Sequence, residues 1–190
     1  MTLFVGLGNP GSQYEKTRHN IGFRVIDRLV DNASARDISK TSFQGKLYRS
    51  ANTFFLKPST FMNLSGKSLI AVKHFFKIEL EDIIVIHDDI DLPFGAVRFK
   101  KGGGHGGHNG LRSIDSFVGK EYLRVRIGVG KPEHRSQVAD YVLHDFSAQE
   151  QVHVDKLIDH VTQACKALMN DELNDVRSIY SLKSIENLEG

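Results

Sequence analysis

Residues 83–110 read IIVIHDDIDLPFGAVRFKKGGGHGGHNG and combine an apolar run, an acidic cluster and a glycine-rich loop. The run 83–86 is continuously apolar, which is typical of a central strand covered on both faces. His87, Asp88 and Asp89 follow it directly, at the carboxyl end where open α/β sheets bind their ligands. A further strand is predicted over residues 96–100. The stretch therefore predicts an α/β sheet with a polar site at one edge.

The glycine-rich loop at residues 102–110 contains six glycines and cannot be a core element, because glycine offers no side chain to bury. It lacks the Ser, Pro and Gln of a linker, and it carries His108 and Asn109, which a spacer does not need. Helical spacing begins after His108, so the amino terminus of a helix points into the loop. Such a terminus attracts phosphate or an oxyanion, and we predict that a bulky ligand approaches this backbone.

The amino-terminal segment predicts a second polar loop at the same edge. Residues 2–7 read as a buried strand, and residues 6–11 match the G-x-G-x-x-G pattern of dinucleotide-binding turns. We reject that interpretation, because helical spacing starts only at Ile21 and the fingerprint needs a helix to begin within the glycines. Residues 9–20 are therefore predicted to be a loop. Among the residues in this loop are Asn9, Tyr14, Arg18, His19 and Asn20.

The rest of the chain supplies structural elements and one basic strand. A hairpin is predicted over residues 45–56, and a turn with Phe61 and Met62 precedes a helix. Residues 122–129 alternate so that Arg124 and Arg126 form a basic face. The capping box Ser147-x-x-Glu150 starts a long helix, a shorter one begins at Asp171, and both are interpreted as packing helices without chemistry. With no repeat or linker, residues 1–190 are predicted to form a single domain.

Composition limits the classes of protein that the chain can belong to. At 190 residues it can bury a real core, and its single cysteine, Cys165, excludes an intramolecular disulfide. No apolar run has transmembrane length and no signal peptide is recognisable, so we expect a cytoplasmic protein. The net charge of +2 is small, but residues 98–135 hold nine Lys and Arg against three acids. This distribution indicates an anionic ligand.

The residue types at this edge favour hydrolysis by an activated water. His19 can accept a proton near neutral pH, and a carboxylate such as Asp88 would orient the ring and stabilise the imidazolium. Asparagines can bind a peptide backbone without adding charge, and no G-x-S-x-G nucleophile motif is present. Two alternatives stay open. One is a non-catalytic RNA-binding protein, and the other is a metal-dependent hydrolase that uses Asp88, Asp89, Asp91, His105 and His108.

Five separate motifs, collinear over nearly the whole chain, resemble those of bacterial peptidyl-tRNA hydrolases. They are residues 5–11 with Tyr14 and 17–20, residues 61–66, His87-Asp88 with 91–93, residues 102–110, and residues 124–130. The resemblance implies a single α/β domain with a mixed, twisted central sheet flanked by helices. It also implies hydrolysis of the ester between a peptide and the terminal ribose of tRNA, which recycles tRNA from aborted translation. A monomer without metal, cofactor, membrane association or obligate protein partner is expected.

The resemblance also implies roles for individual residues. His19 would be the general base, Asp88 its orienting partner, and Asn9 would recognise the first peptide bond. Substrate near the ester would contact a further set, Tyr14, Phe61, Asn63, His108 and Asn109. Lys100 and Arg126 match positions associated with the tRNA phosphate, whereas Lys131 and Arg135 lie in a segment that this family varies.

Overall fold

The computed structural model describes residues 1–189, and a seven-stranded sheet runs through its centre. The strands are β1 (Thr2–Gly6), β2 (Arg36–Asp37), β3 (Gly45–Ser50), β4 (Thr53–Pro58), β5 (Ile83–Asp89), β6 (Val97–Lys101) and β7 (Leu123–Gly128). Their order is β2-β3-β4-β1-β5-β7-β6. The four central strands, from β4 to β7, are parallel, and the pairs at both ends of the sheet are antiparallel. The predicted mixed sheet is confirmed.

Helices cover both faces of the sheet because the central strands send apolar side chains to both sides. The helices are α1 (Ile21–Ala33), α2 (Ser65–Phe76), α3 (Asn109–Val118), α4 (Val138–Val142), α5 (Ala148–Leu168), α6 (Leu173–Tyr180) and α7 (Ile185–Glu189). In β1, Phe4 joins a core formed with α1, α5 and α6, whereas Leu3 and Val5 join a second core with α2 and α3. Alternation with period two in a strand produces this division.

Two glycines allow α1 to lie directly on the sheet. A Cβ atom at Gly22 would come within 2.4 Å of the carbonyl oxygen of Ile86, and one at Gly6 within 2.3 Å of the Gly22 carbonyl. Neither glycine can therefore be replaced by a larger residue without a shift of the backbone. This contact holds the first turn of α1, directly after His19, against the carboxyl ends of β1 and β5.

Most predicted elements are confirmed, and those that were missed are short. Helix α1 begins at Ile21 as predicted, and both halves of the capping box at Ser147 are present. Met62 is buried and Phe61 is exposed, so the turn provides one core residue and one surface residue. The two-residue strand β2 and the five-residue helices α4 and α7 were missed. Elements of this length have too few residues to show a hydrophobic period.

The predicted alternation on β7 is confirmed, and one arginine of its basic face is buried. Arg124 and Arg126 do share a face with Arg98 and Lys100 of the neighbouring strand β6, as the antiparallel register requires. However, Arg124 is 2% exposed, so it is not available to a ligand from solvent. Among residues 1–189, no helix has the length and apolar character needed to cross a membrane.

Candidate active site

His19 and Asp88 come together where two adjacent parallel strands end. His19 lies in a single 3-10 turn, Arg18–Asn20, between β1 and α1, and Asp88 is the sixth residue of β5. Nδ1 of His19 lies 2.9 Å from Oδ2 and 3.1 Å from Oδ1 of Asp88. Because a carboxylate only accepts, Nδ1 of His19 carries the proton. Nε2 of His19 has no protein partner in the described part of the chain, so its lone pair is available in the cleft.

His108 holds the other oxygen of Asp88 and caps α3 at the same time. Its Nε2 lies 2.8 Å from Oδ1 of Asp88, while its Nδ1 accepts hydrogen bonds from the backbone N–H groups of Gly110 at 3.1 Å and Leu111 at 3.4 Å. An Nδ1 atom that accepts hydrogen bonds cannot carry a proton, so the proton of a neutral His108 is on Nε2. Asp88 therefore receives hydrogen bonds from two imidazoles, whose ring centroids lie 4.9 Å apart.

Burial and charge act in opposite directions on the pKa values of this cluster. Burial lowers the pKa of His19, but the charge of Asp88 and its hydrogen bond outweigh burial, so the pKa is raised above its ordinary value of 6.5. Burial raises the pKa of Asp88, but the charges and hydrogen bonds of His19 and His108 prevail and hold it well below its usual range. Asp88 is therefore ionised at neutral pH although it is only 1% exposed.

His87 is a buried neutral histidine behind this cluster. Its Nδ1 donates a 2.8 Å hydrogen bond to the backbone carbonyl of Asp88, and its ring lies edge-on to that of His108 at 5.4 Å. Burial, followed by the charge of His108, lowers the pKa of His87 to about 4. Its Nε2 is buried without a hydrogen-bond partner. This burial was not predictable from the local pattern, because polar residues at a strand end are usually exposed.

Asn9 is held by backbone contacts that orient its amide. Its Oδ1 accepts a 2.8 Å hydrogen bond from the backbone N–H of Met62, and its own backbone N–H and carbonyl bind the side chain of Asn20 at 2.9 Å each. With Oδ1 occupied, Nδ2 is the free end of the Asn9 amide. Asn63 follows Met62 directly, so the same contact brings the loop of Asn63 next to Asn9.

The remaining residues expected to contact substrate surround this cluster. Asn109 is the first residue of α3 and follows His108, and both Asn109 and Asn63 are exposed. Phe61 is 57% exposed, and Tyr14 is half-buried in the loop between Asn9 and His19. A cavity of about 580 Å³ opens beside Asn9 and extends along α1 towards β3 and β4. Asn9 lines this cavity, whereas Asn63, Asn109 and Phe61 lie outside its lining and are accessible from solvent.

The two basic residues expected to bind tRNA differ in their surroundings. Lys100 is exposed, whereas Nε of Arg126 donates a 2.8 Å hydrogen bond to Oδ2 of Asp89. The buried Arg124 has a structural task instead. Its guanidinium donates to the carbonyls of Gly104 and, at 2.8 Å, Gly103. Arg124 therefore anchors the glycine-rich loop to the sheet.

A metal ion has one candidate location in the described residues. Ligand atoms of His19, Asp88 and His108 lie within 4.8 Å of one another. The hydrogen bonds of His108 oppose metal binding, because its Nδ1 is committed to the α3 backbone and its Nε2 then keeps a proton instead of a free lone pair. Asp89 of the predicted ligand set is paired with Arg126, and Asp91 and His105 lie outside the cluster.

Arg18 is the residue whose importance the sequence did not reveal. Its guanidinium is buried, donates a 3.0 Å hydrogen bond to the carbonyl of Tyr141 and a 3.1 Å hydrogen bond to Glu150, and lies 4.0 Å above the Tyr141 ring. The only sequence features that relate to this contact are the position of Arg18 next to His19 and the capping-box glutamate, Glu150. Nothing in the sequence links residues that are 132 positions apart.

Comparison with known proteins gives a consistent result over the full length of the chain. Residues 3–187 match the family model described as "Peptidyl-tRNA hydrolase". A protein of that name from Sulfurovum sp. (strain NBC37-1) is 76% identical over 189 residues, which are 100% of both chains. Another, from Sulfurimonas denitrificans, is 58% identical over 96% of this chain and 97% of its own.

A solved structure supports the same assignment in three dimensions. The crystal structure of peptidyl-tRNA hydrolase from Acinetobacter baumannii superposes with a TM-score of 0.91 at 36% identity. The match covers 97% of this chain and 96% of the other. The likeness therefore includes the sheet order and the helices on both faces.

Proposed function

The chain belongs to the peptidyl-tRNA hydrolase family, and we propose that His19 is the base that activates water in its reaction. The enzyme hydrolyses the ester bond between the peptide and the tRNA. The observation that carries the proposal is the pairing of His19 with Asp88, which leaves Nε2 of His19 free. A neutral imidazole with an accessible lone pair and a buried carboxylate behind it is suited to accept a proton from water.

The reaction proceeds in two proton transfers. Nε2 of His19 takes a proton from water as the oxygen attacks the ester carbonyl, and Asp88 stabilises the resulting imidazolium. The imidazolium then returns the proton to the ribose oxygen as the carbon–oxygen bond breaks. A ribose hydroxyl is a better leaving group than an amine, so one base and a few donors suffice, each contributing roughly 10²–10³-fold.

The amides around His19 bind the substrate on either side of the ester. Asn9 presents Nδ2 to the carbonyl of the first peptide bond, which distinguishes a peptidyl-tRNA from a free aminoacyl-tRNA. Asn63 and Asn109 are exposed, and their amide N–H groups stabilise the oxyanion that forms during attack. Tyr14 and Phe61 line the peptide side. His108 keeps Asp88 ionised by donating to its second oxygen.

The tRNA lies on the β6 and β7 side of the site. Lys100 and Arg126 project from the same face of these strands, and contacts with phosphate from such residues supply affinity that falls with salt. We further propose that the enzyme acts as a cytoplasmic monomer that recycles tRNA from aborted translation, without a metal, cofactor, membrane or obligate protein partner. Metal-dependent hydrolysis is the alternative that the cluster of His19, Asp88 and His108 would support.

One assay separates these possibilities. Purified enzyme and the variants His19→Ala and His19→Gln are incubated with N-acetylaminoacyl-tRNA and with unblocked aminoacyl-tRNA. We expect rapid deacylation of the blocked substrate only, and loss of turnover in both variants with tRNA binding retained. Activity that disappears with excess chelator and returns with a divalent metal would establish the metal-dependent alternative. A protein that binds tRNA but never deacylates it would be a non-catalytic RNA-binding relative, and an active His19→Ala would refute the assignment of the base.

A further inference from the structure

Arg18, the residue before His19, is locked into the carboxyl-terminal part of the chain. Its guanidinium donates hydrogen bonds to the Tyr141 carbonyl at 3.0 Å and to Oε1 of Glu150 at 3.1 Å. It also stacks over the Tyr141 ring, 4.0 Å from the ring centroid. The guanidinium is enclosed, with a side-chain exposure of 9%. A charge in such surroundings needs a partner, so the Arg18–Glu150 pair holds the arginine in one position.

The backbone around Arg18 is held by the same carboxyl-terminal segment. The N–H group of Arg18 donates a 3.0 Å hydrogen bond to the carbonyl of His144, and Thr17 forms an isolated antiparallel bridge with Asp145. The 3-10 turn that carries His19 is therefore attached to this segment through both main chain and side chain. None of these contacts involves the substrate groups described above.

Tyr141 extends this attachment to the strand that carries Asp88. Its hydroxyl donates a 2.6 Å hydrogen bond to the carbonyl of Val129, and the N–H group of Val129 donates a 3.1 Å hydrogen bond to the carbonyl of Asp89. Tyr141 thus contacts Arg18 on one side and the end of the sheet on the other. The chain of contacts connects the two residues whose side chains must meet, His19 and Asp88.

We propose that Arg18 is a positioning residue for His19, held in place by Glu150 and Tyr141. This inference rests on the proposed role of His19 as the base. Arg18 does not reach the reacting atoms. It keeps the His19 ring at hydrogen-bonding distance from Asp88, so that the Nε2 lone pair stays directed into the cleft. The carboxyl-terminal helices, which the sequence indicated to be packing elements, would thereby contribute to catalysis.

The chain offers a matched pair of variants, because Glu150 has two separable tasks. Its Oε1 accepts from the N–H of Ser147, as a capping box requires, and from Arg18. Glu150→Gln keeps an oxygen that can serve the capping box and loses the charge that binds Arg18. Ser147→Ala removes the hydroxyl that caps Glu150 N–H at 3.1 Å and leaves the Arg18–Glu150 pair intact. Ser147→Ala therefore weakens the cap of α5 and leaves Arg18 paired, whereas Glu150→Gln retains the cap and loosens Arg18.

The measurement is kcat and KM for N-acetylaminoacyl-tRNA across pH, together with the melting temperature of each variant. We expect Glu150→Gln to lower kcat by about tenfold with KM nearly unchanged, because small displacements of a catalytic group reduce the rate strongly. The acidic limb of the kcat profile should also move to lower pH as the contact with Asp88 loosens. Arg18→Gln should lower kcat further, and Arg18→Lys should recover part of the loss. Ser147→Ala should lower the melting temperature and leave kcat and the pH profile unchanged.

Two results would overturn the inference without affecting the proposed base. One is a wild-type kcat and pH profile in Glu150→Gln while His19→Ala is inactive. The other is an equal loss of kcat in Ser147→Ala and Glu150→Gln, which would assign the effect to the stability of α5. An active His19→Ala would instead remove the proposed function on which the inference rests. Should Arg18→Gln fail to fold, the comparison of Glu150→Gln with Ser147→Ala still decides.

Discussion

Arg126 donates a 2.8 Å hydrogen bond from Nε to Oδ2 of Asp89, so the arginine proposed to bind tRNA already has a carboxylate partner. Their side chains are 25% and 11% exposed, and Asp89 directly follows Asp88 in sequence. A phosphate that approaches Arg126 must therefore share the guanidinium with Asp89 or displace it. We therefore expect Asp89 to lower the affinity of Arg126 for phosphate.

This relationship predicts opposite effects of two substitutions on tRNA binding. Asp89→Asn should strengthen binding by about two- to fivefold, because removal of a partly exposed ion pair is worth up to about 1 kcal/mol. Arg126→Gln should weaken binding and reduce the slope of log affinity against log salt by about one. The measurement is equilibrium binding of deacylated tRNA at several salt concentrations.

The control is Arg28→Gln, which removes a cation of α1 that is paired with Asp155. This variant should change neither the affinity nor its salt dependence. Equal affinities for Asp89→Asn and the wild type would show that Asp89 does not restrain Arg126.

Asp88→Asn should lower kcat by roughly 10²–10⁴-fold, with a much smaller change in KM. The amide can present N–H to Nδ1 of His19, which then favours the tautomer with its proton on Nε2 and removes the basic lone pair from the cleft. The pKa of His19 should also fall, since Asp88 raises it. Wild-type activity should decline as the pH falls through the raised pKa of His19, which lies above 6.5. Any residual activity of the variant should decline at a lower pH. Rate profiles from pH 5 to 8 measure this, and an unchanged acidic limb would contradict the assignment.

His108 has a structural and an electrostatic task, and two substitutions separate them. Both His108→Asn and His108→Ala remove the donor to Asp88, but asparagine can still accept from the first N–H groups of α3. We expect both variants to lose activity and His108→Asn to be more stable by about 1 kcal/mol. Urea unfolding and initial rates measure the two quantities. Equal stability of the two variants would indicate that the cap contributes nothing, and full activity in His108→Asn would remove the proposed support of Asp88.

The part of the site that could be predicted from sequence is the part built on parallel strands. Asp88 follows the apolar run 83–86, and His19 lies in the loop that follows the first strand, so the rule that parallel strands present their carboxyl ends at one edge brings them together. The structure confirms this meeting at 2.9 Å. The start of α1 and the capping box at Ser147 were predictable for a similar reason, since each depends on residues within one turn.

The rest depends on contacts between distant segments that leave no local pattern. Arg18 and Arg126 both lie near an acid in space, but Glu150 and Asp89 cannot be identified from spacing alone. Arg124 alternates with apolar residues as an exposed arginine would, yet the glycine-rich loop folds over it and supplies carbonyl acceptors. Burial of a polar side chain is decided by what covers it, and a single sequence does not contain that information.

The buried His87 predicts how stability depends on pH. Its folded-state pKa is lowered from 6.5 to about 4, so the unfolded chain binds the additional proton between these values. The stability that neutral His87 contributes is fully present above pH 6.5. As the pH falls towards 4, the free energy of unfolding decreases by roughly 3 kcal/mol in total. The raised pKa of His19 has the opposite effect on stability. The stability that His19 contributes is lost as the pH rises, and this change occurs only above pH 6.5. His87→Asn retains a donor for the Asp88 carbonyl and has no titrating ring, so its free energy of unfolding should change less between pH 6.5 and pH 5 than that of the wild type.

Urea unfolding at half-unit pH intervals in this range, before most carboxylates titrate, measures the difference. His153→Asn on α5 is the control, since it replaces a histidine that lies outside the active site. Equal slopes in the wild type and His87→Asn would mean that His87 is protonated in the folded state or that its burial is relieved by solvent.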